Sequence, residues 1–174
     1  MRFSSCSPGL VLLIAGLTAA CGERSPTDVE RATSVRAVSS GPVLVECPTD
    51  VTTTVTKTLG TFGGSIEVGG HRVDLPLGAV RRPTQFTVTI PASRFVEVHI
   101  TADGQHGFRF YETAAITISY ERCTRSNITD EPLAAWKIDP ATQALLKPMG
   151  GSVDHDTRRV TFSTDSLSAY AIAQ

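Results

Sequence analysis

Apolar and polar residues alternate with a period of two through most of the chain after residue 43. Phe86, Val88 and Ile90 alternate with Thr87 and Thr89, and Val96, Val98 and Ile100 with Glu97 and His99. Ile116, Ile118 and Tyr120 alternate with Thr117 and Ser119. Shorter runs repeat the pattern: Phe108 and Phe110 around Arg109, Trp136 and Ile138 around Lys137, Val160 and Phe162 around Thr161. This period gives each strand one face for a core and one for water. Turn-forming pairs separate the runs: Gly63-Gly64, Gly69-Gly70, Asp103-Gly104, Asp139-Pro140 and Gly150-Gly151. Short strands at such spacing predict an all-β fold, an antiparallel β-sandwich over residues 43–174. No stretch has a convincing helical period. "PATQALLKPM" could form one turn, but its prolines restrict it.

The first 42 residues lack this alternation. Arg2 precedes an unbroken apolar run from Leu10 to Leu17, then Thr18-Ala19-Ala20 and Cys21. A basic start, a short apolar stretch and small residues before a cut site describe a secretory signal. The run is too short to cross a bilayer, which takes about 20 apolar residues. Leu17-Thr18-Ala19-Ala20-Cys21 resembles a bacterial lipobox, although Thr18 stands where leucine is usual. The resemblance implies cleavage before Cys21 and a lipid on its sulfur. The alternative is an ordinary signal peptide with Cys21 incidental. The expected organisation is a lipoprotein signal peptide over 1–20, lipidated Cys21 with a flexible tether over 21–42, and a sandwich over 43–174. Residues 22–41, "GERSPTDVERATSVRAVSSG", have no apolar face to bury. As a tether they would span about 25 Å.

Without Arg2 the chain has 15 basic and 17 acidic residues, net −2. That balance gives no electrostatic case for nucleic acid or for a polybasic membrane patch. Of four cysteines, Cys6 lies in the signal and Cys21 at its end, leaving Cys47 and Cys123. In an oxidising compartment these are expected to pair as a disulfide. One feature opposes pairing: Cys123 falls on the face opposite Ile116, Ile118 and Tyr120 unless the strand ends first. Two separate buried thiols are the alternative.

From Gly63 the pattern becomes more specific. "GGSIEVGGHRVDLPLGAVRRPTQFTVTIP" resembles the opening of a ZU5 domain. That family shows a Gly-Gly turn, two short strands, a Pro-x-Gly-Ala step and a β-run. Here these are Gly63-Gly64, Ser65 to Val68, His71 to Leu75, Pro76-Leu77-Gly78-Ala79 and Thr84 to Ile90. "GFRFYETAAITISY" is similar to a later family segment, with Thr113 and Ala114 where proline is frequent. The likeness covers residues 59–173 and implies a ZU5-like β-sandwich in a small bacterial lipoprotein. Some ZU5 domains cut themselves at a His-Phe-Ser motif; Ser166, Leu167 and Ser168 occupy that place here. Ser168 keeps the nucleophile, but the histidine that would take its proton is missing. Asp165 could be offered in its place, but a carboxylate is a weak base for a serine hydroxyl. The plainer reading is a final strand with Tyr170 and Ile172 in the core.

Other chemistry is sparse. His99 and His106 could face each other across a hairpin with Asp103 in its loop, a spacing that fits no standard zinc pattern. Asp154-His155-Asp156 reads as one acidic turn. No nucleophile elbow, phosphate loop or dinucleotide fingerprint appears. No cofactor, metal or catalytic residue is therefore expected. The leading reading is a non-enzymatic interaction or structural module of the bacterial cell envelope. A lipid would anchor it, facing periplasm or surface, with the outer membrane favoured because Gly22 rather than Asp follows Cys21. Its partner would be an unidentified protein or the wall. Candidate contact residues are Arg81 and Arg82, Asp103 and His106 in the 103–107 loop, and the 124–131 segment. A self-cleaving domain or an envelope hydrolase is the enzymatic alternative. A carbohydrate-binding sandwich is the third, disfavoured by an aromatic content of 6%, with the single Trp136 expected in the core.

Overall fold

The computed structural model describes residues 41–128 and 132–174. Among them run thirteen strands. They are β1 (Glu46–Thr49), β2 (Thr53–Leu59), β3 (Gly64–Val68), β4 (His71–Leu75), β5 (Thr84–Ile90), β6 (Ser93–Phe95) and β7 (Glu97–Ala102). The remainder are β8 (Arg109–Ser119), β9 (Ala134–Ile138), β10 (Leu145–Gly150), β11 (Ser152–Asp154), β12 (Arg159–Ser166) and β13 (Ala169–Ala173). The helical content among the described residues is one 3₁₀ turn, Arg125–Asn127. The 140–149 stretch is a turn leading into β10 rather than a helix.

The strands form a six-stranded sheet in the order β10-β9-β13-β7-β5-β2 and a five-stranded sheet in the order β11-β12-β8-β4-β3. A two-stranded ribbon, β1-β6, completes the set. Every pairing between named strands is antiparallel. The two large sheets pack face to face in a sandwich-like all-β body. The period-two residues meet between them: Phe86, Val88, Val98, Ile100 and Tyr170 from one sheet, Ile66, Val73, Ile116, Ile118 and Val160 from the other. Phe162 of β12 and Tyr170 of β13 lie across this interface with ring centroids 5.0 Å apart. The Tyr170 hydroxyl donates to Ser166 O at 2.5 Å, which satisfies its polar end inside the core. The chain crosses between sheets at Leu167, which is fully buried and whose N–H donates to Phe108 O at 2.8 Å.

The β3–β4 hairpin shows how local sequence sets this geometry. Val68 pairs with His71, so Gly69 and Gly70 are the whole turn, with φ of 52° and 84°. A two-residue turn with both φ values positive matches the right-handed twist of its strands, and glycine adopts it without a Cβ clash.

Cys47 and Cys123 are joined in a disulfide, Cα–Cα 5.1 Å. The face conflict is resolved because β8 ends at Ser119. A turn follows, with Cys123 N–H donating to Tyr120 O at 3.0 Å, and brings the sulfur back to the core side. Beside it the chain enters the body. Val43 N–H donates to Gln174 O at 2.8 Å, Gln174 N–H returns a bond to Val43 O at 3.0 Å, and Leu44 bridges Ala173.

Alternation with Lys137 predicts Trp136 in the core; the structure corrects this. Trp136 is opposite Ala171 and Lys137 is opposite Tyr170. Tyr170 holds the core face, so Lys137 shares it and Trp136 turns away. It packs on the outer face in a second cluster with Leu44, Ile138, Leu145, Ala169 and Ala171. Alternation defines two faces, and only the register with a neighbour decides which of them is the core. Farther across that outer face, threonines pair in rungs, Thr54 with Thr89 and Thr56 with Thr87, each at 3.1 Å.

Candidate interaction surface

Three connections gather at the end of the sandwich away from the disulfide: the 60–63 turn, the 76–83 loop and the 103–108 loop. Hydrogen bonds hold each of them in place. Gly78 N–H donates to Thr61 O at 2.8 Å, Tyr111 N–H to Ala79 O at 3.0 Å and Gly107 N–H to Leu167 O at 3.1 Å. Asp103 N–H donates to Gln85 O at 2.7 Å, and Asp103 Oδ1 accepts from Gln85 N–H at 3.1 Å. Thr84 Oγ1 donates to Arg82 O at 3.1 Å. These loops are therefore fixed to the sheets, and the first two to each other, rather than hanging free.

They carry two of the six large apolar side chains exposed among the described residues: Phe62 is 89% exposed and Leu77 70%, and Tyr111 near the start of β8 is 58% exposed. The Arg81 guanidinium carbon lies 3.9 Å over the centre of the Tyr111 ring, a cation–π contact. Arg82 is exposed beside it. Among the described residues neither Arg81 nor Arg82 joins an ion pair, whereas Arg109 meets Asp165 at 3.6 Å. Exposed large apolar side chains on neighbouring turns, with arginine at their margin, have the composition of a contact surface.

All four contact residues singled out in the sequence are at this end. Arg81 and Arg82 flank the exposed cluster, His106 is exposed in the 103–108 loop, and Asp103 spends one carboxylate oxygen and its own N–H on Gln85. Asp103 also adopts φ 49°, which aspartate tolerates better than most residues. The 124–131 segment is elsewhere, near Glu46 and Gln174, and its last three residues are outside the described ones. Cys21 is likewise outside the described residues. Phe62, Leu77 and Tyr111 escaped the sequence reading. Phe62 had a signal: an aromatic beside Gly63-Gly64 sits at a turn too tight to carry it into the core.

A second polar arrangement lies on β7. Glu97 is 1% exposed although alternation assigns it to water. Its carboxylate meets His99 Nε2 at 2.8 Å and accepts from Gln143 Nε2 at 2.9 Å. Burial pushes this carboxyl up, and hydrogen bonds from His99, Ser93 and Gln143 together outweigh it, so its pKa lies below the usual carboxylate range. His99 is thus engaged by Glu97. Among the described residues no group of three or more His, Cys, Asp and Glu side chains gathers as a metal site.

His71 is buried at the base of the Gly69-Gly70 turn, and its Nδ1 has no hydrogen-bond partner among the described residues. Burial, and secondarily the charge of Arg122, lowers its pKa to about 4. Ser168 is buried, and nearby Asp165 points to Arg109. Among the described residues no helix is long and apolar enough to cross a membrane. No protein-family model matches the chain, and no curated protein sequence matches it.

Proposed function

We propose that the chain is a lipid-anchored envelope protein carrying a ZU5-like β-sandwich that acts as a non-catalytic interaction module. Its contact surface is the loop end bearing Phe62, Leu77, Arg81, Arg82 and Tyr111, with Asp103 and His106 alongside. The observation that carries this reading is the exposure of Phe62 and Leu77 on turns that backbone hydrogen bonds hold in place. Leaving large apolar groups in water costs free energy that burial against a partner returns. The Cys47–Cys123 disulfide supports an oxidising compartment. Burial of Ser168 and the pairing of Asp165 with Arg109 support a structural role for the last strand over self-cleavage.

Photo-crosslinking in intact cells tests the contact surface. A photoreactive residue at position 62 or 77 is expected to form adducts, and one at exposed position 157 to form none. No adduct at either loop position would remove the surface. Anchoring is tested by metabolic labelling with palmitate: label is expected on the wild type and absent from Cys21→Ser. An unlabelled wild type would remove the lipid.

A further inference from the structure

We infer that the loop end bearing Phe62 and Leu77 docks on a phospholipid bilayer, with both side chains in the acyl region and Arg81 and Arg82 on headgroup phosphates. This rests on the proposed contact surface and names what covers it. Three observations select lipid. The first is size. Phe62, Leu77 and Tyr111 are the large exposed apolar side chains here. Three side chains supply only part of the roughly 800 Å² per partner that a stable protein interface buries, of which somewhat over half is apolar. A second copy would need further matching surface around them, whereas insertion into a bilayer needs none.

The second is shape. Phe62 and Leu77 come from two turns joined by the Gly78–Thr61 hydrogen bond, and at 89% and 70% exposure both stand clear of the body. Neighbouring apolar tips form a wedge rather than a groove, and a wedge needs a deformable partner. The third is layering. Tyr111 carries a hydroxyl on an apolar ring, the kind of side chain that settles at the headgroup level. Arg81 is stacked on that ring, and neither Arg81 nor Arg82 has a carboxylate partner among the described residues. Guanidinium groups bind phosphate in a planar, two-pronged geometry. Three acids share this end: Asp103 is bonded to Gln85, Asp165 faces Arg109, and Glu112 packs near Gly78. The net attraction to anionic lipid is therefore local to Arg81 and Arg82, and apolar insertion carries most of the affinity.

The test uses the full chain with an environment-sensitive fluorescent amino acid at position 62, 77 or 157. It is added to vesicles of phosphatidylethanolamine and phosphatidylglycerol. Blue-shifted emission and quenching by lipid-borne quenchers are expected at 62 and 77, with position 157 quenched only from water. Phe62→Ala is expected to cut quenching at 77 more than tenfold, and Leu77→Ala to do the same at 62. Arg81→Ala with Arg82→Ala is expected to cut it about fivefold per arginine on these vesicles. On phosphatidylcholine alone the arginine changes are expected to matter less. Water-accessible probes at 62 and 77 overturn the inference. If crosslinking at 62 then captures a protein, the contact surface stands and only its occupant is wrong. If it captures nothing, both fall.

Discussion

Gln143 reaches from the β9–β10 turn to Glu97 on β7, Nε2 to Oε1 at 2.9 Å, and holds a left-handed φ of 59° while doing so. A non-glycine residue in that region costs of order 1 kcal/mol, and this bond, together with those that Asp139 accepts from Ala141, Thr142 and Gln143 N–H, holds the turn against that strain. With His99 it completes the environment of a carboxylate that is almost wholly out of water.

Glu97→Ala should therefore remove about 3 kcal/mol of stability, because two donors lose a buried acceptor. Gln143→Gly gives up one bond and relaxes the backbone, so its cost should be nearer 1 kcal/mol. Urea unfolding of both variants compares them. Equal losses would mean that the backbone strain is not relieved, and no loss from Glu97→Ala would strip the carboxylate of its structural role.

Stability should fall as pH drops from 6.5 towards 4. Burial lowers the His71 pKa from its ordinary 6.5 to about 4, and the Arg122 charge adds to this. Between these values the unfolded chain binds a proton that the folded chain excludes, so the stabilisation is complete above 6.5 and shrinks below it. The loss should approach about 3 kcal/mol at pH 4. His71→Phe removes the titrating group and should flatten this limb of a stability–pH curve. Glu97 acts lower, from its ordinary 4.5 downward, because its pKa is depressed. A variant with an unchanged slope above pH 4.5 would move the effect away from His71.

Two glycines with similar backbones should respond very differently to alanine. Gly63 has φ 72° and a Cβ there would sit 2.2 Å from Leu75 O, with Pro76 backbone at 2.7 Å. Gly104 has φ 74° and nothing within 4 Å. Gly104→Ala should lose only the left-handed penalty, about 1 kcal/mol. Gly63→Ala must also push two backbones apart and should lose well over 3 kcal/mol or fail to fold. Thermal melts of the pair separate steric crowding from backbone conformation.

Removing the disulfide should cost about 2 to 5 kcal/mol, because its partners are far apart in sequence and the cross-link restrains a long unfolded loop. The separation is 76 residues. Cys47→Ala with Cys123→Ala should lower the melting temperature by the same amount as reduction of the wild type. A reductant-insensitive wild type would show that the thiols contribute little beyond packing.

Much of the scaffold is legible in the sequence. The strands that the resemblance implies at His71 to Leu75 and Thr84 to Ile90 have those bounds, and the apolar residues whose alternation the sequence shows, Phe86, Val88 and Ile90, face the core. Turn glycines and a period of two are local properties, carried by residues next to one another. The illegible parts depend on distant partners. Glu97 is buried by a residue 46 positions away, and the face of Trp136 is set by pairing with β13. The loop end mixes both cases. Arg81, Arg82, Asp103 and His106 were visible as polar loop residues. Phe62 and Leu77 stay exposed because their turns stop short of the core, which no periodicity records.

The place where the chain joins the body has a mechanical meaning. A pull applied ahead of Gly41 would first part the two Val43–Gln174 hydrogen bonds, then the bond from Val45 N–H to Ile172 O. Such bonds open one after another, like a zipper, under small loads. The opening stops at Cys47, where tension passes through a covalent link into the turn after β8. Only a few residues of slack can be drawn out before that stop, so such a load frees little chain and the β-sheets behind the cross-link stay assembled.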